Sequence, residues 1–184
     1  MAKQFSEIDE RLAGFIDAQK IFFTASAAEG TRINISPRPT DHFHRLGSNS
    51  VAYLDLTGSG SETAAHLRVD GRLTIMFCAF EGAPLILRLY GQGRVAFRGS
   101  PDYRTFLDAH YAGEEPLGAR QIVFLDIDLV QTSCGFKVPL FEPAGERPTL
   151  DRWAEAKGEE DLRAYRQEKN LVSMDGLPTG FVES

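Results

Sequence analysis

The chain has 184 residues, of which 42% are hydrophobic and 25% charged. This composition is typical of a globular domain with a core of its own and excludes a disordered chain. The formal net charge of −6 argues against nucleic acid as a partner, because phosphate backbones are bound by basic surfaces.

The cysteines and the first residues of the chain indicate a cytoplasmic protein. Cys78 and Cys134 are too few for a disulfide framework and lack the spacing of a metal site. Cys78 lies in an apolar run, so we expect it to be buried. Neither a signal peptide nor a stretch long enough to cross a bilayer is evident, so we expect no association with membranes.

A helix and a hairpin are predicted at the start of the chain. Apolar residues recur at helical spacing from Ser6 to Gln19, with Ser6 as the expected N-cap. The β-rich runs Lys20 to Ala25 and Thr31 to Ser36 are joined by a short loop and predict a hairpin. Pro37 and Pro39 follow, and we expect them to end the pairing because proline cannot donate to a ladder.

Strand patterns dominate the chain up to residue 140. Further strands are predicted at His42 to Leu46, Ser50 to Leu56, Arg72 to Phe80, Leu85 to Phe97 and Gln121 to Gln131, and helices at Pro101 to Tyr111 and near Glu159 to Lys169. Six or seven strands with only short helices between them fit an antiparallel barrel better than a parallel α/β sheet. We therefore predict a mainly β (α+β) barrel domain over residues 1–140. Residues 141–184 would form an extension whose charged helix packs on the barrel or on a partner.

One turn is a candidate anion site. In the segment VAYLDLTGSGSETAAHL an apolar strand runs into the turn from Thr57 to Thr63 and then into a helical pattern. Free backbone N–H groups, hydroxyls and the helix dipole can together hold a phosphate there. The same residues also fit a helix start that binds nothing, with Ser59 as N-cap and Glu62 as its capping-box partner. Neither a dinucleotide fingerprint nor a P-loop is completed.

An earlier strand, Thr31 to Ser36 of the predicted hairpin, carries a polar face. Arg32, Asn34 and Ser36 share one side of the strand by period two, and Ile33 and Ile35 are expected to face a core on the other side. Three polar groups in register suit the edge of a ligand. An antiparallel strand with one solvated face gives the same alternation, so both interpretations stay open.

Three residues further along are candidates for a pocket. Arg88 lies inside the apolar strand LILRLYG, so it extends its charged end to solvent, pairs with a carboxylate such as Glu62 or Asp55, or meets an anionic ligand. Ser133 and Cys134 end the last long strand. No histidine is paired with Cys134 by spacing, which favours a pocket-lining position over a nucleophile. His42 and His44 lack a third ligand, so no metal site is expected.

The order of four segments resembles the pyridoxamine 5'-phosphate oxidase-like family, the FMN-binding split barrels. The segments are the first helix with KIFFTASAAEGTRINISPRP, then VAYLDLTGSGSETAAHL, RLTIMFCAFEGAPLILRLYGQGRVAF, and the strand ending TSCGFKVP. The resemblance covers Phe5 to Pro139 and is closest to an uncharacterised bacterial branch with a TGSG-x-x-T-x-x-H loop. It implies a six-stranded antiparallel split barrel, and a homodimer with FMN in two clefts at the subunit interface.

The resemblance also implies which residues contact the cofactor. The strand from Arg32 to Ser36 would run along the flavin, and the turn from Thr57 to Thr63 would grip its phosphate. The expected cofactor-binding set is Arg32, Asn34, Ser36, Thr57, Gly58, Ser59, Thr63, Arg88, Ser133 and Cys134. Thr57, Ser59 and Thr63 would donate hydroxyl hydrogen bonds, with Arg32 as the charge partner.

Two departures from the family pattern change the expected substrate. Oxidases of pyridoxamine phosphate carry Ser-Arg-Lys in the phosphate turn, and this chain has Ser61-Glu62-Thr63 near that position. Those enzymes also end in a segment that carries Trp together with Arg or His, whereas here Trp153 stands alone and the chain ends DGLPTGFVES. We therefore expect an FMN-dependent oxidoreductase acting on a small molecule other than a vitamin B6 phosphate. The alternatives are a flavin- or haem-binding module without turnover, and a reductase that uses the deazaflavin F420.

Overall fold

The computed structural model describes residues 2–182. Its strands are β1 (Lys3–Phe5), β2 (Ile21–Ser26), β3 (Asn34–Pro39), β4 (Phe43–Arg45), β5 (Ser50–Leu56), β6 (Arg72–Cys78), β7 (Ile86–Phe97) and β8 (Ala119–Ser133). Its helices are α1 (Glu10–Ala18), α2 (Glu62–Val69), α3 (Pro101–His110) and α4 (Thr149–Lys169). In this part of the chain no helix is both long and apolar enough to cross a membrane.

All pairs of strands are antiparallel and belong to one curled sheet. Its order is β3-β2-β6-β7-β8-β5-β4, and β1 pairs with β8. Six strands have at least six residues, as the resemblance implies, and the short strand β4 lies within the predicted run His42 to Leu46. The three-residue strand β1 was not predicted. The two sides of the barrel meet through side chains, because Arg38 of edge strand β3 forms an ion pair with Asp55 of β5. The predicted antiparallel barrel with peripheral helices is confirmed.

Two apolar clusters form the core. The larger one fills the barrel. Helix α1 covers it and contributes the buried side chains of Leu12, Ala13 and Ile16. Burial of a side chain such as Leu12 or Ile16 contributes about 1.5–3 kcal/mol. The second cluster holds α3 against the sheet through Tyr103 and Phe106. Cys78 is buried, as expected.

The first helix begins later than predicted. Asp9 is its N-cap and accepts a 2.7 Å hydrogen bond from the Leu12 N–H, so the prediction of Ser6 as the cap was wrong. Residues 3–5 pair instead with Val130, Gln131 and Thr132 at the edge of β8. Asparagine, aspartate, serine and threonine all cap helices well, so spacing alone does not choose between two of them.

Two expectations for β3 were also wrong. The strand remains paired with β2 through Pro39, because an edge strand can turn the missing proline N–H toward solvent. Ile33 and Ile35 do not face a core, since they are 73% and 65% exposed. No layer covers that side of the sheet edge in the described residues, so the apolar face of the strand lies at the surface.

The segment after the barrel packs on the barrel of its own chain. Its helix α4 is interrupted at Gly158, where φ is +68° and the backbone is not helical. The part after this kink corresponds to the predicted helix near Glu159 to Lys169, and the part from Thr149 was not predicted. Ala154, Leu162 and Arg166 are its buried residues. A tail follows and returns to the barrel, where Phe181 packs on Phe97 with ring centroids 6.1 Å apart.

Candidate functional site

Helix α2 begins two residues after the position that a Ser59 cap would require. Its N-cap is Ser61, and the Glu62 carboxylate accepts a 3.1 Å hydrogen bond from the Ser61 N–H. Ser59 is exposed and does not cap the helix, so the capping-box interpretation was wrong. The glycines at 58 and 60 lengthen the turn, and this leaves Ser59 at its outer surface.

The first two residues of the turn are tied to the rest of the fold. Thr57 is buried, and both its N–H and its hydroxyl donate to the Gly118 carbonyl at 2.7 Å. Arg166 of α4 donates to the same hydroxyl at 3.3 Å. The Gly58 carbonyl accepts from Arg120 at 3.2 Å and from Asn170 at 2.9 Å. These contacts fix the strand end against the barrel and the C-terminal extension.

Helix α2 docks on β2 and β3 through two polar pairs. Asn34 Nδ2 donates to the Thr63 hydroxyl at 3.1 Å, and one turn later His66 Nδ1 lies 3.1 Å from Ser26 Oγ. Asn34 and Ser26 are register partners in the sheet. Ser36 completes the group by donating to Asn34 Oδ1 at 3.4 Å. The structure thus brings Asn34, Ser36 and Thr63 together.

A buried ion cluster lies directly behind this group. Asp55 accepts from Arg120 at 2.8 and 3.1 Å and from Gln121 at 2.7 Å, and it also pairs with Arg38. Burial alone would raise the pKa of Asp55, but Arg120 and Arg38 lower it to about 2. The guanidinium of Arg38 also lies over the Tyr53 ring, 4.7 Å from its centroid. The cluster is therefore ionised and paired at neutral pH.

No site role was predicted for Arg38, Arg120 or Gln121 from the sequence. The sequence held a weak signal of this cluster, because a charged residue inside an apolar strand is rarely buried without a partner. Together with Asn34, Ser36 and Thr63 they border a cavity of about 30 Å³. That volume suits a water molecule and is too small for a phosphate group.

A larger groove opens in front of the turn. It has a volume of about 400 Å³ and is lined by Arg32, Ile33, Asn34, Ile35, Ser59, Gly60, Glu62, Met174 and Asp175. Volumes of this size are usual for sites that bind small molecules. Three predicted residues, Arg32, Asn34 and Ser59, meet here, with apolar surface from Ile33 and Ile35 beside them.

The groove contains two carboxylates in addition to the arginine. Arg32 forms an ion pair with Asp175, and its N–H donates to Asp175 Oδ2 at 2.9 Å. The hydrogen bond from this backbone N–H, followed by the side-chain contact, lowers the pKa of Asp175. Glu62 accepts from the Met174 N–H at 3.3 Å. The positive charge of Arg32 is therefore balanced from within the chain.

Arg88, Ser133 and Cys134 lie elsewhere. Arg88 donates to the Ser133 hydroxyl at 2.8 Å, between neighbouring strands β7 and β8. Two strands, β2 and β6, separate β7 from β3 in the sheet order. Cys134 follows β8 and is exposed. Within one chain these residues are not brought to the groove.

The histidines form a separate cluster between β4 and α3. His42 and His44 lie 2.9 and 3.2 Å from the Tyr111 hydroxyl, and the rings of His44 and His110 are 4.5 Å apart. Burial, followed by the charges of His110 and His42, lowers the pKa of His44 to about 4. Among residues 2–182 no group of three potential ligands is suited to a metal ion.

Two further clefts are lined by residues other than those predicted to bind the cofactor. One, of about 620 Å³ between α3 and α4, is crossed by ion pairs from Arg98 to Glu115 and Glu159. The other, of about 600 Å³, is largely apolar and includes Phe80 and Phe141. Neither contains a residue predicted from the sequence to bind a cofactor.

Comparisons with known proteins agree on one family. The sequence model described as pyridoxamine 5'-phosphate oxidase matches residues 8–134. Over 192 aligned residues the chain is 38% identical to the pyridoxamine 5'-phosphate oxidase family protein ustO of Aspergillus flavus, covering 95% of this chain and 76% of that protein.

Solved structures show the same fold at low sequence identity. HupZ of Group A Streptococcus matches with a TM-score of 0.56 and 15% identity, covering 68% of this chain and 99% of HupZ. A candidate pyridoxamine 5'-phosphate oxidase of Lactobacillus delbrueckii matches with a TM-score of 0.53 and 11% identity, covering 68% of this chain and 94% of that one. The predicted split-barrel fold is thereby confirmed.

Proposed function

The chain belongs to the pyridoxamine 5'-phosphate oxidase family, and we propose that it is an FMN-dependent oxidoreductase. The observation that carries this proposal is the groove between β3 and the turn before α2. There Arg32, Asn34 and Ser59 meet beside exposed apolar side chains. This combination of a cation, neutral donors and apolar surface matches a flavin nucleotide, which has a phosphate at one end and an aromatic ring at the other.

The donor set of the groove fits the polar end of FMN. Arg32 would pair with the phosphate, the Ser59 hydroxyl would donate to it, and Asn34 would donate nearby. Ile33 and Ile35 would supply surface for the ring. Thr57 and Gly58, which the resemblance also assigned to the phosphate, would support the turn through Gly118 and Asn170. Thr63 would hold Asn34 in place.

In this arrangement the cofactor and the protein would have different roles in the reaction. Bound FMN would supply hydride transfer, and the protein supplies binding, orientation and electrostatics. Ionised Asp55 pairs with Arg38 and Arg120 behind the wall of the groove that carries Asn34. Glu62 places a carboxylate where a B6 oxidase carries a basic residue. We therefore propose that the substrate is a small molecule other than a vitamin B6 phosphate.

A second copy of the chain would complete the site. Ile33 and Ile35 expose apolar surface at the edge of the sheet, and Arg88 with Ser133 lies between β7 and β8. In a homodimer joined over this side of the sheet, Arg88, Ser133 and Cys134 of one protomer would approach the groove of the other. Such a dimer would act in the cytoplasm.

The proposal is tested by cofactor content. The purified protein should be yellow, with flavin absorbance, and should release FMN on denaturation. Apoprotein should bind added FMN, as measured by quenching of flavin fluorescence. Arg32→Gln should weaken binding by about tenfold or more, since a hydrogen bond to a charged group is worth about 1.5–3 kcal/mol.

A matched control is available on another strand. Arg45 of β4 is also exposed and is also paired with an aspartate, Asp17, so Arg45→Gln removes the same charge away from the groove. It should leave FMN affinity unchanged. A colourless protein that takes up no FMN would overturn the proposal. Uptake of F420 or haem in place of FMN would also overturn it.

A further inference from the structure

The tail of the chain closes one side of the groove. Val172 and Pro178 form an antiparallel bridge, and Ser173 and Leu177 bond to each other inside it, with the Ser173 N–H donating to the Leu177 carbonyl at 2.9 Å. We call residues 172–178 the tail hairpin. Its tip carries Met174, which is 68% exposed, and Asp175, which reaches Arg32.

The base and the tip of the tail hairpin are held differently. At the base, the Thr179 hydroxyl donates to the Asn170 carbonyl at 2.7 Å, and the adjoining Phe181 is buried. The tip makes polar contacts with the rest of the fold, from the Met174 N–H to Glu62 and from Asp175 to Arg32, and Ser61 Oγ donates to the Val172 carbonyl nearby. Polar contacts at a surface contribute little stability. The tip can therefore leave while the base remains docked.

Asp175 makes the contacts that a phosphate would make at this position. Its two oxygens accept from the backbone N–H and from the guanidinium of Arg32. The Asp175 side chain is only 10% exposed, whereas that of Arg32 is 71% exposed. A phosphate monoester carries a charge of about −1.5 to −2 near neutral pH. If it entered the closed groove, it would meet the carboxylates of both Asp175 and Glu62.

We propose that Asp175 occupies the phosphate position of the cofactor site, and that the tail hairpin opens when FMN binds. This inference rests on the proposed function. One guanidinium cannot present the same N–H groups to two anions, so FMN must displace Asp175 before Arg32 can pair with its phosphate. Asp175 then sets the affinity for a phosphorylated flavin, and it has no such effect on a flavin without a phosphate.

The test compares FMN with riboflavin, which has the same ring but no phosphate. Asp175→Asn keeps the size of the side chain and removes its charge. It should tighten FMN binding by about tenfold and leave riboflavin binding within about twofold. Asp128→Asn on β8 is the matched control, because Asp128 is an exposed aspartate outside the groove. It should change neither affinity.

Hydrogen exchange gives a second, independent measurement. FMN added to the wild-type protein should increase amide exchange at residues 173–177 and leave Phe181 protected. Equal FMN affinity of wild type and Asp175→Asn, or greater protection of the tail hairpin with FMN, would overturn the inference and leave the proposed function standing. Failure of both proteins to bind FMN would overturn both.

Discussion

Asn34 donates a 3.1 Å hydrogen bond from Nδ2 to the Thr63 hydroxyl and so joins the edge strand β3 to the first turn of α2. Its register partner Ser26 makes the next such link, to His66. The helix that follows the proposed phosphate turn is therefore positioned by the same strand that lines the groove.

The first prediction concerns this link. Asn34→Ala and Thr63→Val should each lower the free energy of unfolding, and together they should cost about 1 kcal/mol less than the sum of the two, because they remove the same hydrogen bond. Urea unfolding of the two single variants and the double variant measures this coupling. Purely additive losses would show that the contact does not stabilise the fold.

Loss of the Thr57 hydroxyl should mainly lower the free energy of unfolding, and loss of the Ser59 hydroxyl should mainly lower the affinity for FMN. Thr57→Val leaves the buried Gly118 carbonyl with one donor fewer, so it should lower the free energy of unfolding by about 1–3 kcal/mol. Ser59→Ala changes an exposed side chain and should stay within about 0.5 kcal/mol of wild type. FMN titration should show the larger loss for Ser59→Ala. A larger loss of FMN affinity for Thr57→Val at unchanged stability would contradict this assignment.

Asp55 should be essential for stability. Asp55→Asn leaves Arg120, which has a side chain only 5% exposed, without its counter-charge. Removing one partner of a buried pair costs about 3–5 kcal/mol. Thermal unfolding monitored by circular dichroism measures the loss. Asp126→Asn on the exposed part of β8 serves as the control and should change the midpoint little.

The histidine cluster should make the protein sensitive to mild acid. The pKa of His44 is about 4 when folded, below its ordinary value of 6.5, so between these pH values the unfolded chain binds more protons. Stability should be complete above pH 6.5 and should fall as the pH drops toward 4. Asp55 does not contribute to this fall at pH 5, because its folded pKa is about 2 and its ordinary value is 3.8.

The measurement compares urea unfolding at pH 7.5 and pH 5. Wild type should lose stability at pH 5, and His44→Gln should lose less, because glutamine does not titrate. If both proteins lost stability equally, His44 would not be the source of the acid sensitivity.

The exposed isoleucines of β3 should matter for assembly. Ile35→Glu places a charge on the apolar surface at the sheet edge and should convert the proposed homodimer into a monomer, with weaker FMN binding. Light scattering coupled to gel filtration gives the mass. Val69→Glu is the control, since Val69 is 57% exposed at the end of α2. A wild-type monomer, or an Ile35→Glu dimer, would exclude an interface at this edge.

Local patterns were sufficient to predict most of the fold. The strands were found because period-two alternation and apolar runs are properties of a few neighbouring residues. The polar face of Asn34 and Ser36 followed from the same periodicity. The opposite side of that strand was misplaced, because alternation shows that two faces differ and does not show which layer, if any, covers the apolar one.

Contacts between distant parts of the chain were not predictable in this way. Arg32 and Asp175 are 143 residues apart in sequence, and no spacing rule connects them. Arg120 and Asp55 meet because β5 pairs with β8, so their ion pair becomes visible only with the strand register. The tail hairpin and the buried cluster therefore had to come from the structure.

The two prolines of β3 restrict how copies of the chain can associate. Because β3 pairs with β2 through Pro39, the positions of Pro37 and Pro39 that lack an N–H lie along the free edge of the sheet. A strand from another molecule would find two missing donors there, so the prolines oppose growth of the sheet by strand addition at the β3 edge. Exposed apolar side chains can thus serve recognition on this strand without making it a template for fibrils.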